Sequence, residues 1–269
     1  MTTTTTPIDV DRLGPVAAGP VIRWLSGRAL RRMRRLPSLF VPVILMPLFF
    51  VVAFTGSFDG VTRLDGFPTD ELVNWIAAYS MLQGATMAGV GSAGVIATDL
   101  ENGFLDRLLA SPVPRMAILL GPLAYAATRA LIPTTLVLLV AAAQGADMPG
   151  GPMGIVLVYA GTVGTSMVIG SLGLAVVLRI RRYQAISIVQ MGAFLILFPS
   201  IGQVPLGLLT GWMSTAARVN PTTNVLRMTR QGFIGEVSWA DTWPGLVVIA
   251  VGTVVFLTWA RRELDRLAG

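Results

Sequence analysis

The sequence predicts an all-α, polytopic membrane protein, and three observations carry that reading. The first is composition: the 269 residues are 54% hydrophobic and only 13% charged, with a mean hydropathy of +0.70, where soluble domains carry roughly a quarter charged residues. The second is spacing: apolar stretches near the roughly 20 residues that a bilayer requires recur along the chain. The third is the placement of arginine. The fold expected is six transmembrane helices, an N-terminal interfacial helix, a short helix on the cytoplasmic face and an outer helical hairpin before the last span. No polar stretch is long enough for a sizeable soluble domain.

Residues 1–20 are polar and threonine-rich, with Pro7 and Pro15, and read as a disordered cytoplasmic tail. In residues 21–36, Val21, Ile22, Leu25, Ala29, Met33 and Leu36 recur at helical spacing. Arg23, Arg28, Arg31, Arg32, Arg34 and Arg35 surround them. Such a stretch is an interfacial helix on an anionic leaflet. It is not read as a signal peptide, because the polar lead is long, no clear small-x-small site follows and more spans come after.

The spans are placed at about 38–57, 72–98, 116–143, 153–178, 183–209 and 242–260. The second is rich in Gly, Ala and Ser, as close helix packing demands. Pro199 and Pro205 lie near the far end of the fifth. With both termini inside, fifteen arginines face seven acids on the inner side, and four face seven on the outer side. That distribution obeys the positive-inside rule and accounts for the net charge of +6 without nucleic acid. All six tryptophans fall near an expected interface.

Between the second and third spans lies Asp99 to Arg115, DLENGFLDRLLASPVPR. Drawn as a helix over 99–111, it puts Leu100, Phe104, Leu105, Leu108 and Leu109 on one side. Glu101 is expected in the first turn, where a carboxylate complements the helix dipole, and Pro112 and Pro114 end the helix. On periodicity alone this is a helix lying on the membrane face with its apolar side down. The link 203–237 is neither fully apolar nor fully polar. Leu206, Leu209, Trp212 and Met213 suggest a first helix, Asn220-Pro221 a turn, and Thr222 to Gln231 a second helix. A hairpin entering the membrane is allowed if protein covers its backbone.

Composition also excludes chemistry. Cysteine and histidine are absent, so there is no disulfide, no thiolate or imidazole metal ligand and no imidazole base. All twenty basic residues are arginine, and a Walker A loop requires its lysine. The chain therefore carries no such ATP site. No Asp or Glu falls inside an expected span, which weighs against a secondary transporter. With no His, no Cys and no acidic pair in a span, an integral-membrane enzyme has little to work with. Both stay open as alternatives that need no ATPase partner. Arg129 is the one charged residue deep in a span. It either ties spans two and three together, with Gln83 at a similar level as a hydrogen-bond partner, or attracts an anionic substrate group.

Two motifs resemble those of the membrane subunits of ABC-2 exporters. In that family an E-x-G-T-L-E-R-L-L-x-T-P-like run follows the second span. Glu101, Gly103, Leu105, Asp106, Arg107, Leu108, Leu109, Ser111 and Pro112 match it in kind and order, while Phe104 stands where Thr is frequent. Asn220-Pro221 followed by Arg230 is similar to the run before the family's last span. The daunorubicin-resistance branch of drug and lipid exporters is the nearest in character.

The resemblance implies that 99–111 is a coupling helix, with Glu101, Gly103, Leu105, Arg107, Leu108, Leu109 and Pro112 serving the ATPase. It implies that Trp212, Asn220, Pro221 and Arg230 belong to an outer gate. The implied protein is the permease of an ATP-driven exporter in a bacterial cytoplasmic membrane, both termini cytoplasmic, moving a lipophilic or amphipathic molecule by alternating access. ATP and Mg would sit on a separate nucleotide-binding subunit, present in two copies. A second permease, identical or paralogous, would complete the complex.

Overall fold

The computed structural model describes residues 17–36, 38, 41–200 and 202–268. Residues 1–16 of the tail expected over 1–20, and Pro37, Leu39 and Phe40 at the start of the first span, lie outside the described residues; the last three residues of that expected tail, 18–20, are already helical. Among the described residues ten α-helices follow one another: α1 (Ala18–Arg35), α2 (Val41–Phe58), α3 (Leu72–Glu101), α4 (Phe104–Leu109), α5 (Arg115–Ala143), α6 (Gly151–Ile180), α7 (Ala185–Leu197), α8 (Gly211–Val219), α9 (Pro221–Ile234) and α10 (Trp239–Ala268). Among the described residues there is no strand.

The bundle is built around α3. This helix packs along its length on α5 and α6, with α2, α7 and α9 completing the ring. Almost every residue from Leu72 to Ala93 is buried. Its small side chains are what let the neighbours close in. A Cβ on Gly89 would lie 2.7 Å from the Ser166 carbonyl of α6, and Ser92 Oγ donates to Gly89 O (2.8 Å) and to Gly170 O of α6 (3.1 Å). At Gly84 two prolines meet the same patch, Pro133 of α5 and Pro47 of α2. Small-residue contact of this kind brings helices together where lipid supplies no hydrophobic drive.

Four helices, α2, α5, α6 and α10, are long and apolar enough to cross a membrane. The peripheral ones face outward: α10 turns Val247, Val251, Val254 and Val255 away from the protein. α3 has the length, 30 residues, but carries more polar side chains, because it faces protein rather than lipid. The fifth expected span is corrected. Instead of a helix over 183–209, α7 has 13 residues and ends at Leu197. Pro199 follows two residues later, and Pro205 precedes a short 3₁₀ turn over Leu206–Leu208.

Two apolar clusters fill the bundle at its opposite ends. One joins Tyr79, Leu82, Val137, Leu157, Leu226 and Phe233. The other joins Ile96, Leu105, Ile118, Leu119, Leu178 and Leu264.

Candidate functional site

The end of the bundle bearing α4 is fixed by charge and by one glycine. The helix expected over 99–111 is divided. α3 runs through Glu101, Asn102 closes it, and Gly103 turns the chain at φ 64° into α4. That left-handed conformation costs an ordinary L-residue roughly 1–2 kcal/mol, so the glycine makes the break. Glu101 is thus at the C-terminal end of α3, not in a first turn, and the acid at the start of α4 is Asp106. Glu101 is exposed and makes no ion pair among the described residues. An acid there opposes the helix dipole.

α4 is anchored by its apolar side. Leu105 is 1% exposed in the cluster with Ile118, Leu119, Leu178 and Leu264, and Leu108, Leu109 and Val113 pack against it. Phe104 meets α1: its ring lies 6.3 Å from Trp24, and the Arg28 guanidinium sits 4.3 Å above it. Arg28 also donates to Asp99, which is buried. What remains outside is polar and compact: Glu101, Asn102, Asp106, Arg107, Ala110 and Pro112 are all exposed.

The last helix joins the same end. Buried Glu263 accepts from Trp259 Nε1 (3.1 Å) and Arg266 Nη1 (2.8 Å), and Arg179 of α6 stands 3.8 Å away. Arg115, at the head of α5, reaches Asp265 at 2.7 Å. The role of Asp99, Arg28 and Glu263 was legible only as acids and arginines at expected span ends; their pairing needed the fold.

At the opposite end the Asn-Pro motif has a local explanation. Asn220 Oδ1 accepts from the Thr222 N–H (2.9 Å) and so caps α9, and Pro221 takes the first helical position, where no N–H is needed. The Asn220 Nδ2 donates to the Ile196 carbonyl at the end of α7 (2.6 Å), joined by Thr222 Oγ1 (3.2 Å). One side chain therefore serves two helix ends. Arg230 is 3% exposed. Its Nε donates to the Trp75 carbonyl (3.2 Å), an Nη donates to the Gly202 carbonyl (3.0 Å), and its guanidinium lies 3.5 Å over the Trp75 ring. It fastens α9 to α3 and to the segment after α7. Trp212 is not part of this group; it stands 73% exposed on α8.

Arg129 and Gln83 are both buried but are not brought together. The Arg129 guanidinium lies against Gly91, where a Cβ would be 2.0 Å from Nη1. Gly91 is eight residues from Gln83, about 12 Å along α3. The expected shared hydrogen bond gives way to packing against a glycine.

No curated protein matches the chain. The family model for the ABC-2 type transporter matches residues 20–234, from the start of α1 to the end of α9. That range holds the divided α3–α4 junction, the Asn220 cap and the Arg230 clamp, and it covers most of the 269 residues. The chain belongs to the ABC-2 type transporter family, as an integral membrane protein of the ABC transporter permease class.

Proposed function

We propose that the chain is the permease of an ATP-driven ABC exporter and that an ATPase subunit docks on the exposed side of α4. The single observation that carries this is the construction of α4. Its apolar face is spent on its own bundle, while Asp106 and Arg107 stand outside on a helix held firmly from beneath, and Glu101 stands outside just across Gly103, at the end of α3. Glu101 opposes the α3 dipole without a partner in the described chain, as an acid kept for another protein's surface would. ABC-2 permeases generally work with an ABC ATPase, and this chain lacks the lysine of a Walker A loop. ATP and Mg then belong to the partner.

In this reading α2, α3, α5, α6, α7 and α10 cross the bilayer with α4 and both termini in the cytoplasm, as the arginine distribution supports. α7 needs less length because α9 re-enters beneath the outer surface, with protein covering its backbone. A second permease and two ATPase subunits complete the exporter, which moves a lipophilic or amphipathic substrate by alternating access. The α9 end, closed by Arg230 on Trp75, is the outer gate.

The test is charge reversal at exposed positions, where folding is not at stake. Glu101→Arg and Arg107→Glu should lower co-purification of an ATPase identified by its Walker A sequence. They should also abolish substrate-stimulated hydrolysis at unchanged membrane abundance. Full association and stimulation with both variants would refute the docking surface.

A further inference from the structure

A cavity of about 350 Å³ lies among α1, α2, α3, α5 and the start of α7. Its volume is in the range of small-molecule pockets, ~300–1,000 Å³. On α3 its wall runs from Thr98 to Met87, about 16 Å of helix, so it reaches from the α4 end well into the bundle. Its sides are apolar, with Met87, Val95 and Ile186 among them, and Gln190 adds an amide. Its charges are both positive: Arg32 and Arg129 line it, and no acid does. The acid nearest in sequence to the lining, Asp99, is engaged by Arg28.

The position of Arg129 is built. Gly91 leaves room for the guanidinium against α3, and the Tyr125 ring, 5.8 Å from its carbon, supports it from the same helix. Around Arg32 stand Arg28, Arg31 and Arg35, a field that draws anions toward this end. A guanidinium pairs with the oxygens of a phosphate through parallel N–H donors. Apolar walls at that depth suit hydrocarbon and not a hydrated ion.

We propose that this cavity binds the phosphate head of a membrane amphiphile, with Arg129 as the deep contact, Arg32 as the outer one, and acyl chain against the Met87 and Ile186 walls. Export of such a molecule rests on the permease reading; its binding does not.

The experiment uses the full chain in dodecyl maltoside micelles, which carry no phosphate, without any ATPase, so failure here is separable from failure of ATPase docking. Calorimetric titration compares dioctanoyl phosphatidic acid, dioctanoylglycerol and inorganic phosphate. The phosphatidic acid should bind about tenfold or more tighter than either of the others. Arg129→Gln and Gly91→Val should each weaken it about tenfold, and Arg129→Lys about threefold. Arg32→Gln, at an exposed position, folds regardless and should weaken it about threefold. The proposal is overturned by equal binding of phosphatidic acid to wild type and both Arg→Gln variants. It is also overturned by equal affinity for dioctanoylglycerol, which removes the anion, or by inorganic phosphate binding as tightly as the lipid, which assigns the site to a free anion.

Discussion

Replacing Asn220 separates the two tasks its side chain performs. In Asn220→Ala the Thr222 N–H loses its cap acceptor, at about 1 kcal/mol. The Ile196 carbonyl loses its shorter donor, for about another 1 kcal/mol. The total, about 2 kcal/mol, corresponds to roughly a thirtyfold rise in the open population of α9. Asn220→Ser keeps a cap acceptor but is too short to reach Ile196, so it should cost about 1 kcal/mol, or roughly fivefold. The native chain has no cysteine, which makes the assay clean. Val225→Cys places one thiol at a position 3% exposed on α9, and its rate of maleimide labelling reports local opening. The expected order of rates is Ala, then Ser, then Asn. Equal rates for Ser and the native Asn would show that the bond to α7 contributes nothing, equal rates for Ala and Ser that the cap contributes nothing, and an unchanged rate for Ala would refute the double cap.

Gly103→Ala should cost about 1 kcal/mol through its positive φ, whereas Gly103→Asn should be nearly tolerated; ATPase stimulation measured at equal membrane abundance distinguishes them. Leu105→Ala, at 1% exposure, should lower stability by about 2–5 kcal/mol, read as a loss of thermal unfolding temperature in detergent, while Leu105→Met should lose less than 1.5 kcal/mol or so. Arg230→Lys keeps the charge but not the fork that reaches two carbonyls, so it should loosen α9 in the same labelling assay nearly as much as Arg230→Gln.

The helices were legible where lipid is their solvent. α2, α5, α6 and α10 announce themselves by length and apolarity because part of each faces outward, and the bilayer rewards apolar side chains there. α7 was misjudged for a physical reason: 183–209 is apolar almost throughout, and hydropathy does not register a backbone turned aside by Pro199 and Pro205. Both prolines were visible, but only the Asn220 and Thr222 donors arriving at Ile196 show how the freed carbonyl is satisfied. The pairing of Arg28 with Asp99 was hidden because 71 residues separate them, and one sequence records no such contact.

The motif residues were legible as letters, and the fold supplies what each letter requires. Gly103 answers a backbone demand, φ 64°, that a residue with a Cβ meets only at a cost, asparagine paying least. Pro221 answers an N1 position and Asn220 a cap with a second acceptor to serve, so the dipeptide is a joint between α7 and α9 rather than a simple turn. Arg230 answers a buried place with two carbonyls and an indole face at once, which a point charge on a flexible stem does not fill. Leu105, Leu108 and Leu109 answer an interior surface, not lipid. That last assignment changes what the helical wheel meant. The apolar side of α4 faces its own bundle, so a force applied to Asp106 or Arg107 is delivered through Leu105 to the packed ends of α3, α5, α6 and α10. Glu101 stands on the α3 side of Gly103, so the glycine separates it from that load.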